Sequence, residues 1–242
     1  MATLQWPKRL RMTYRTEGNA GSATVAARPD WSQIDTVLLD LDGTLLDLAF
    51  DNHFWLEVVP GKFAAAYGIS PSEARTQLIG RFRACEGTLN WYCVEHWSRE
   101  LGLDIVTLKR AVADRIAWLP GAVDFLRRLR VQGKRLVLLT NSHREVLRIK
   151  DECTGVTCFM DAVISSHDFG APKEDARFWQ QVRNVEAYDA RRTAFIDDSP
   201  PVLDAARRSG LTWVYGIRRP DTRGPQREHG AHPAVDSVSD LI

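Results

Sequence analysis

The stretch of the chain that decides the fold reads TVLLDLDGTL and runs from Thr36 to Leu45. A short apolar run of this kind is typical of a strand that is buried on both faces of a parallel sheet. Asp40 and Asp42 follow the apolar residues directly, and Gly43 permits a tight turn after them. The stretch therefore predicts a buried strand that delivers two carboxylates to one edge of a sheet.

The pattern of an apolar run that ends in polar residues returns later in the chain. Strand candidates lie at Arg135–Thr140 and Thr193–Asp197, and weaker ones lie at Ala162–Ser165 and 212–215. Helix-like stretches separate them, at residues 121–130, 143–153, 175–185 and 200–209. Strands that alternate with helices predict an α/β fold with a doubly wound parallel sheet.

The interval between the first two strands departs from this alternation and is helical in pattern throughout. Ser70, Pro71 and Glu73 form the pattern of a capping box with proline in the first turn, so a helix is expected to begin there. Two further helices are expected, one that begins at Asn90 and one over residues 104–118. The pattern therefore predicts an all-helical insert after the first strand.

The predicted organisation has three parts. Residues 1–29 are expected to form a flexible N-terminal extension, because they carry five basic side chains against a single acid and show no strand or helix pattern. Residues 30–46 and 119–242 are expected to form the α/β core. Residues 47–118 are expected to form the helical insert.

Composition excludes several classes of protein. The 242 residues include 32 Lys and Arg against 31 Asp and Glu, so the net charge of +1 gives no electrostatic case for a nucleic-acid or membrane-surface partner. No apolar run approaches the roughly 18 residues that would indicate a membrane span. The cysteines lack C-x-x-C spacing and have no histidine at zinc-ligand spacing, which favours buried, reduced thiols in a cytoplasmic protein. They are Cys85, Cys93, Cys153 and Cys158.

Three of the predicted strands end in residues that suit phosphoryl transfer. The carboxyl ends of parallel strands meet at one edge of a sheet, so these residues can converge. Asp40 can attack phosphorus as a carboxylate and form an acyl phosphate. Asp42 can protonate the leaving oxygen and afterwards activate water. The hydroxyl of Thr140 and the amides that follow it can hold the phosphate oxygens.

A cation and further acids complete the set. Lys173 can offer a positive charge to the phosphate and to the carboxylate of Asp40. Asp197 and Asp198 follow the third of these strands, and with Asp40 they would form a dense negative cluster that a cation must neutralise. Oxygen ligands beside a phosphate favour Mg²⁺. We therefore expect a magnesium-dependent phosphatase.

Each motif alone is weak, but their order and residue types resemble the four motifs of the haloacid dehalogenase superfamily. The resemblance implies a Rossmann-like core, Mg²⁺, a phosphorylated aspartate, and a cap formed by the helical insert, which closes over the site. It makes Asp40 the nucleophile and Asp42 the acid/base. It implies that Asp42 also binds the metal through its carbonyl, and that Asp198 lies beside the metal or replaces another ligand. The remaining roles are phosphate ligands at Thr140 and Lys173, and metal ligands at Asp40 and Asp197.

Longer strings resemble the bacterial GMP/IMP nucleotidases of this superfamily, among them LLDLAFDN at residues 45–52, TLNWYC at 88–93 and FGAPKED at 169–175. This resemblance implies a purine nucleoside 5′-monophosphate as the substrate. Asn52 and Asn90 are then expected to face the substrate, and Asn141 to bind it. Phe50 and Trp91 are candidates to stack on the purine, although tryptophans at helical spacing more often build a core.

Two other functions stay open at this point. The same scaffold could act on a sugar phosphate or another small phosphometabolite, as a phosphatase or as a phosphomutase. A dehalogenase would not need Asp42. A non-catalytic module that binds phosphorylated ligands or a partner protein belongs to a different class, against which the complete set of catalytic groups argues. The sequence indicates no oligomeric state.

Overall fold

The structure is a computed structural model that describes residues 28–242. The flexible extension predicted for residues 1–29 therefore lies outside the described residues, except for its last two. Within the described part, no helix is both long enough and apolar enough to cross a lipid bilayer.

Six parallel strands form one sheet in the spatial order β3-β2-β1-β4-β5-β6. Their bounds are β1 Thr36–Leu39, β2 Arg135–Thr140, β3 Ala162–Ser165, β4 Thr193–Asp197, β5 Trp213–Ile217 and β6 Ala234–Val235. The strand order reverses between β1 and β4, and ligands of such sheets bind outside the carboxyl ends at the reversal. The sheet confirms the predicted doubly wound α/β fold and places Asp40 at the reversal point.

Helices cover both faces of this sheet. The α-helices are α1 Ala49–His53, α2 Val59–Tyr67, α3 Pro71–Cys85, α4 Leu89–Tyr92, α5 Val94–Leu101, α6 Ile105–Arg110, α7 Ala122–Val131, α8 Arg144–Thr154, α9 Ala176–Val185 and α10 Pro200–Arg208. Val37 and Leu39 of β1 pack with α7 on one face, and Leu38 packs with α9 and α10 on the other. All three side chains are fully buried, as expected for a central parallel strand.

Helices α1–α6, which we call the cap, lie between β1 and β2 and share an apolar core of their own. Phe54, Phe63, Phe82 and Trp97 are large buried side chains of that core. The predicted helix start at Pro71 is confirmed, because Ser70 Oγ accepts a hydrogen bond from the amide of Glu73 at 3.2 Å. A helical N-cap of this kind is worth about 1 kcal/mol.

Two helices of the cap differ from the prediction. The second is broken at Cys93, whose extended backbone separates α4 from α5. The helix expected over residues 104–118 ends at Arg110. It ends there because the chain must return to the core beside the segment by which it left. A β-bridge between Leu46 and Trp118 joins these two segments.

Candidate active site

A cavity lies between the cap and the carboxyl ends of the strands, and we call it the cleft. It encloses about 710 Å³, a volume that includes the solvent space at its open mouth. The seven motif residues for which a role was predicted all line the cleft: Asp40, Asp42, Thr140, Asn141, Lys173, Asp197 and Asp198.

The turn after β1 brings the first motif into the cleft. Gly43 has a φ of +88°, a left-handed conformation that favours glycine. A Cβ at this position would lie 2.5 Å from a carboxylate oxygen of Asp198, so the close approach of the two motifs also requires glycine. The amide of Gly43 donates to the carbonyl of Leu46 at 2.7 Å and closes the turn that follows Asp42.

Lys173 joins the acids of two strands. Its ammonium donates to Asp40 Oδ1 at 2.5 Å and to Asp197 Oδ2 at 2.7 Å. It also donates to the carbonyl of Leu139 at 3.1 Å. Burial disfavours the charged form of Lys173, but the two carboxylates outweigh this effect and raise its pKa above the ordinary value. Lys173 is therefore a fixed positive charge between β1 and β4.

The loop after β2 is tied to the loop that carries Lys173. Asn141 Oδ1 accepts from the backbone amide of Lys173 at 2.9 Å, and Asn141 Nδ2 donates to Glu174 Oε2 at 3.0 Å. Thr140 Oγ1 accepts from the amide of Ser142 at 2.9 Å. Asn141 thus positions Lys173, a contact that the sequence analysis did not predict, whereas its role in substrate binding stays a prediction.

Asp40, Asp197 and Asp198 form a buried group that we call the acidic cluster. One carboxylate oxygen of each lies within 4.8 Å of the others. Burial raises the pKa of Asp40 and of Asp198 to about 7 and that of Asp197 to about 6, against the opposing charges of Lys173 and Arg227. The cations of the protein therefore compensate these carboxylates incompletely.

The acidic cluster fits a magnesium ion. Its donors are carboxylate oxygens, the ligands that Mg²⁺ prefers. Asp40 Oδ2 is buried and has no hydrogen-bond partner among residues 28–242, so one oxygen of the cluster is left for a ligand. A divalent cation would also favour the ionised form of all three acids, which burial alone disfavours.

A second set of buried charges, which the sequence analysis missed, connects Asp42 to the cap. Lys150 of α8 donates to Asp42 Oδ1 and to Asp51 Oδ2, both at 2.6 Å. Lys109 of α6 donates to Asp51 Oδ1 at 2.6 Å and lies 4.3 Å from the ring centroid of Phe54. Both lysines are only 2% exposed. We call Asp42, Lys150, Asp51 and Lys109 the lysine network, and it fixes the predicted acid/base to the core and to the cap at once.

A signal for the lysine network was present in the helix periodicity. Lys150 stands three and four residues after Leu147 and Val146, which places it on the buried face of α8. Lys109 likewise stands four residues after the buried Ile105. A lysine on an apolar helix face is rarely buried without a partner, so each position pointed to a carboxylate nearby.

The cap side of the cleft is aromatic. Trp55, Trp91 and Tyr92 line it. Tyr92 Oη donates to Glu174 Oε1 at 2.8 Å, a contact between the cap and the loop of Lys173. The aromatic side chains therefore occupy the wall where a group attached to the phosphate would lie.

The two cap asparagines that were expected to face the substrate lie elsewhere. Asn52 Nδ2 donates to Asp221 Oδ2 at 2.7 Å, and Asn90 is exposed. Neither asparagine is among the described residues that line the cleft, and from the short helix α4 it is Trp91 and Tyr92 that do so instead of Asn90. Phe50 is buried at 4.9 Å from the ammonium of Lys109 and is likewise not part of the cleft wall.

Comparison with known families gives one match over most of the chain. The family described as haloacid dehalogenase-like hydrolase matches residues 34–210. The match covers β1 to α10, with all four motifs and the cap.

Individual relatives extend this match. GMP/IMP nucleotidase YrfG of Escherichia coli (strain K12) is 42% identical over 212 residues, which are 88% of this chain and 96% of the relative. Phosphoglycolate phosphatase of Caulobacter vibrioides is 27% identical over 85% of this chain and 88% of the relative. Among solved structures, a HAD phosphatase from Thermococcus onnurineus has a TM-score of 0.72 at 22% identity, over 86% of this chain and 96% of that one, which supports the fold alone.

Proposed function

The chain belongs to the haloacid dehalogenase-like hydrolases and is a phosphoric monoester hydrolase, and from this premise we propose that it is a purine 5′-nucleotidase that hydrolyses GMP and IMP. The observation that carries the chemistry is the convergence of Asp40, Asp42, Lys173 and Asp197 on one cleft. The likeness to a GMP/IMP nucleotidase over nearly all of the described chain carries the choice of substrate.

Asp40 is the nucleophile of the proposed reaction. Lys173 holds Oδ1 of its carboxylate, and Oδ2 has no hydrogen-bond partner in the described part of the chain. The carboxylate attacks phosphorus through one of its oxygens, the bond from phosphorus to the nucleoside oxygen breaks, and an aspartyl phosphate forms on Asp40. Lys173 and Thr140 hold the non-bridging oxygens of the transferred group.

Asp42 moves the protons of both half-reactions. It gives a proton to the leaving nucleoside oxygen, and it then takes a proton from the water that attacks the aspartyl phosphate. Hydrolysis releases phosphate and restores the carboxylate of Asp40. Lys150 is a positioning residue for this step, because its ammonium fixes Asp42 Oδ1 at 2.6 Å.

Mg²⁺, held by Asp40, Asp197 and the carbonyl of Asp42, would neutralise charge on the phosphoryl group and align it for in-line attack. Asp198 accepts from the buried guanidinium of Arg227, which favours a place beside the metal rather than on it. With all of these groups ionised, five acids against four cations give the site a formal net charge of −1 before a phosphate arrives. They are Asp40, Asp42, Asp51, Asp197 and Asp198 against Lys109, Lys150, Lys173 and Arg227.

Two features of the cap side support a purine nucleotide. Trp55 and Trp91 give the cleft flat apolar surfaces, on which a base can stack for about 1–3 kcal/mol. The cleft wall also runs from Asp40 at the strand ends to Trp91 in the cap, so a group attached to the phosphate would lie against the aromatic side of the cleft.

Phosphate release from a panel of phosphomonoesters tests the proposal. With Mg²⁺ present, we expect kcat/KM for GMP and IMP to exceed that for phosphoglycolate and for hexose phosphates by at least about tenfold, because a stacked base adds more than about 1.4 kcal/mol of binding. Equal or faster turnover of a sugar phosphate would remove the nucleotidase assignment and leave the phosphatase assignment intact.

The Trp91→Leu variant serves as the control for base stacking in this panel. We expect its KM for GMP to rise while its kcat/KM for phosphoglycolate, which has no base, stays within about twofold of the wild type. A loss of the same size for both substrates would show that Trp91 supports the fold of the cap and not the recognition of a base.

The stabilisation of the protein by Mg²⁺ is expected to increase with pH. Asp40 and Asp198 have pKa values raised to about 7 and Asp197 one raised to about 6, so protons compete with the metal below those values. At roughly pH 8 the ionised acids can bind, and Mg²⁺ at 100 times its Kd adds about 2.7 kcal/mol, which is roughly 5–10 °C in Tm. At roughly pH 5 the gain should nearly vanish.

Thermal unfolding with Mg²⁺, and with KCl of matched ionic strength as the control, measures this effect. An equal Mg²⁺-dependent rise in Tm at both pH values would mean that the metal does not bind through these carboxylates.

A further inference from the structure

A second group of metal-ligating side chains lies on the boundary between the cap and the core, outside the acidic cluster. Cys93 comes from the start of α5 in the cap, His143 from the start of α8, and His167 from the loop after β3. One ligand atom of each lies within 4.8 Å of the other two. The residues are separated by 50 and 24 positions in the chain, so no spacing pattern could have indicated the group.

The ring of His167 has one nitrogen ready for a ligand. Its Nε2 is buried and has no hydrogen-bond partner in the described part of the chain. The ring also makes a hydrogen bond to the backbone of Asn141. Histidine ligands of metals commonly donate their second nitrogen to a backbone carbonyl, which fixes the ring in place. Burial lowers the pKa of His167 to about 4, so the ring is neutral near pH 7.

Cys93 and His143 lie beside this nitrogen. The ring centroids of His143 and His167 are 4.7 Å apart. Cys93 Sγ accepts from the amide of His96 at 3.4 Å, in the first turn of α5. Glu95 Oε2 lies 2.9 Å from His143 Nε2 and 3.5 Å from Cys93 Sγ, so a carboxylate is also within reach.

The spacing of the cysteines predicted that all four are buried, and this prediction was wrong. Cys153 and Cys158 are exposed, and Cys85 and Cys93 are half-buried. Cys93 differs from the other three in being grouped with two histidines. Cys93 therefore lies where its thiol could bind a metal ion together with two histidines at the boundary between the cap and the core.

We propose that Cys93, His143 and His167 bind a divalent transition-metal ion of the zinc class, and that the bound ion holds the cap against the core. Thiolate and imidazole ligands select such ions over Mg²⁺. In a tetrahedral site the ligand atoms lie about 3.3–3.6 Å apart. Since no two of the three ligand atoms are more than 4.8 Å apart, each distance shortens by about 1.5 Å at most on binding. Because Cys93 belongs to the cap and both histidines belong to the core, the ion resists opening of the cleft and slows turnover. This inference is independent of the substrate proposed above.

Titration of the full-length protein with Co²⁺ tests the site without reference to activity. We expect about one Co²⁺ per chain to give thiolate-to-metal absorption in the near ultraviolet and the intense visible bands of a four-coordinate ion. Cys93→Ser should abolish the thiolate band, and His167→Gln should weaken binding at least about tenfold. Cys153→Ser, which removes an exposed cysteine, and Asp197→Asn, which alters the acidic cluster, should both keep the band.

Absence of the thiolate band in the wild type, or its persistence in Cys93→Ser, would overturn the proposed site. Far-ultraviolet circular dichroism of Cys93→Ser and His167→Gln shows whether each variant is folded, and either folded variant alone suffices for the test.

Inhibition by Zn²⁺ tests the effect on the cap. With Mg²⁺ in excess, Zn²⁺ should inhibit phosphate release by the wild type at concentrations at least about tenfold lower than those needed for Cys93→Ser. Equal sensitivity of the two proteins would show that Zn²⁺ acts at the acidic cluster and would remove the proposed effect on cap opening.

Discussion

The Asp40→Asn protein is expected to fold and to lose at least about 10⁴-fold in kcat. The amide has nearly the shape of the carboxylate but cannot form the aspartyl phosphate. Burial raises the pKa of Asp40 to about 7, which means that keeping the buried carboxylate ionised costs folding free energy. A neutral side chain should therefore be tolerated at this position. We expect a Tm within a few degrees of the wild type, measured beside steady-state phosphate release.

Asp35→Asn is the matched control for this variant. Asp35 stands just before β1, is exposed, and pairs with Arg192 at the surface, where solvent screens the pair and its loss costs little stability. This variant should keep full activity. Turnover by Asp40→Asn within tenfold of the wild type would mean that Asp40 is not the nucleophile, and unchanged ligand binding without any wild-type turnover would favour a non-catalytic module.

The Lys150→Met protein is expected to lose both stability and activity. The substitution leaves Asp42 without the ammonium that holds it and removes one of the two cations on Asp51. Breaking a buried ion pair in this way costs about 3–5 kcal/mol, or roughly 10 °C in Tm for a chain of this size. Loss of a fixed orientation for the acid/base should lower kcat by about 10²–10³-fold at temperatures where the variant stays folded.

A pH profile separates the positioning role of Lys150 from a purely structural one. Burial raises the pKa of Asp42, and the charge of Lys150 opposes that rise. Without Lys150 the pKa of Asp42 should rise further, so that Asp42 is ionised only at higher pH. The acidic limb of the plot of kcat against pH should therefore shift to higher pH. Arg148→Met removes an exposed cation from the same helix and should change neither Tm nor the profile. A destabilised Lys150→Met protein with the wild-type profile would leave Lys150 a structural role only.

The distribution of polar residues along the chain was sufficient to predict the core and the motif residues. β1, β2, β3 and β4 fall at the predicted positions, because each is a short apolar run that must be buried on both faces. Strands of a parallel sheet end at a common edge, so the residues that follow β1, β2 and β4 had to meet there. For this reason the amino-acid sequence was enough to predict that Asp40, Thr140 and Asp197 lie close together.

The cap was predicted less well, since its contacts depend on how short helices are turned. Asn90 and Trp91 are neighbours in sequence, yet α4 exposes the first and places the second in the cleft wall. The end of the last cap helix was set by the return to the core through Trp118, which no local pattern specifies.

The order of strands and helices and the chemistry at the strand ends therefore follow from the pattern of apolar and polar residues, because burial and the direction of parallel strands leave little choice. The tertiary structure alone decided which charges share a buried site. Lys150 reaches Asp42 and Asp51, and Cys93 reaches His167, across segments that are far apart in the chain. Such pairs form only once the cap has packed on the core, and their energies depend on a burial that no single segment can supply.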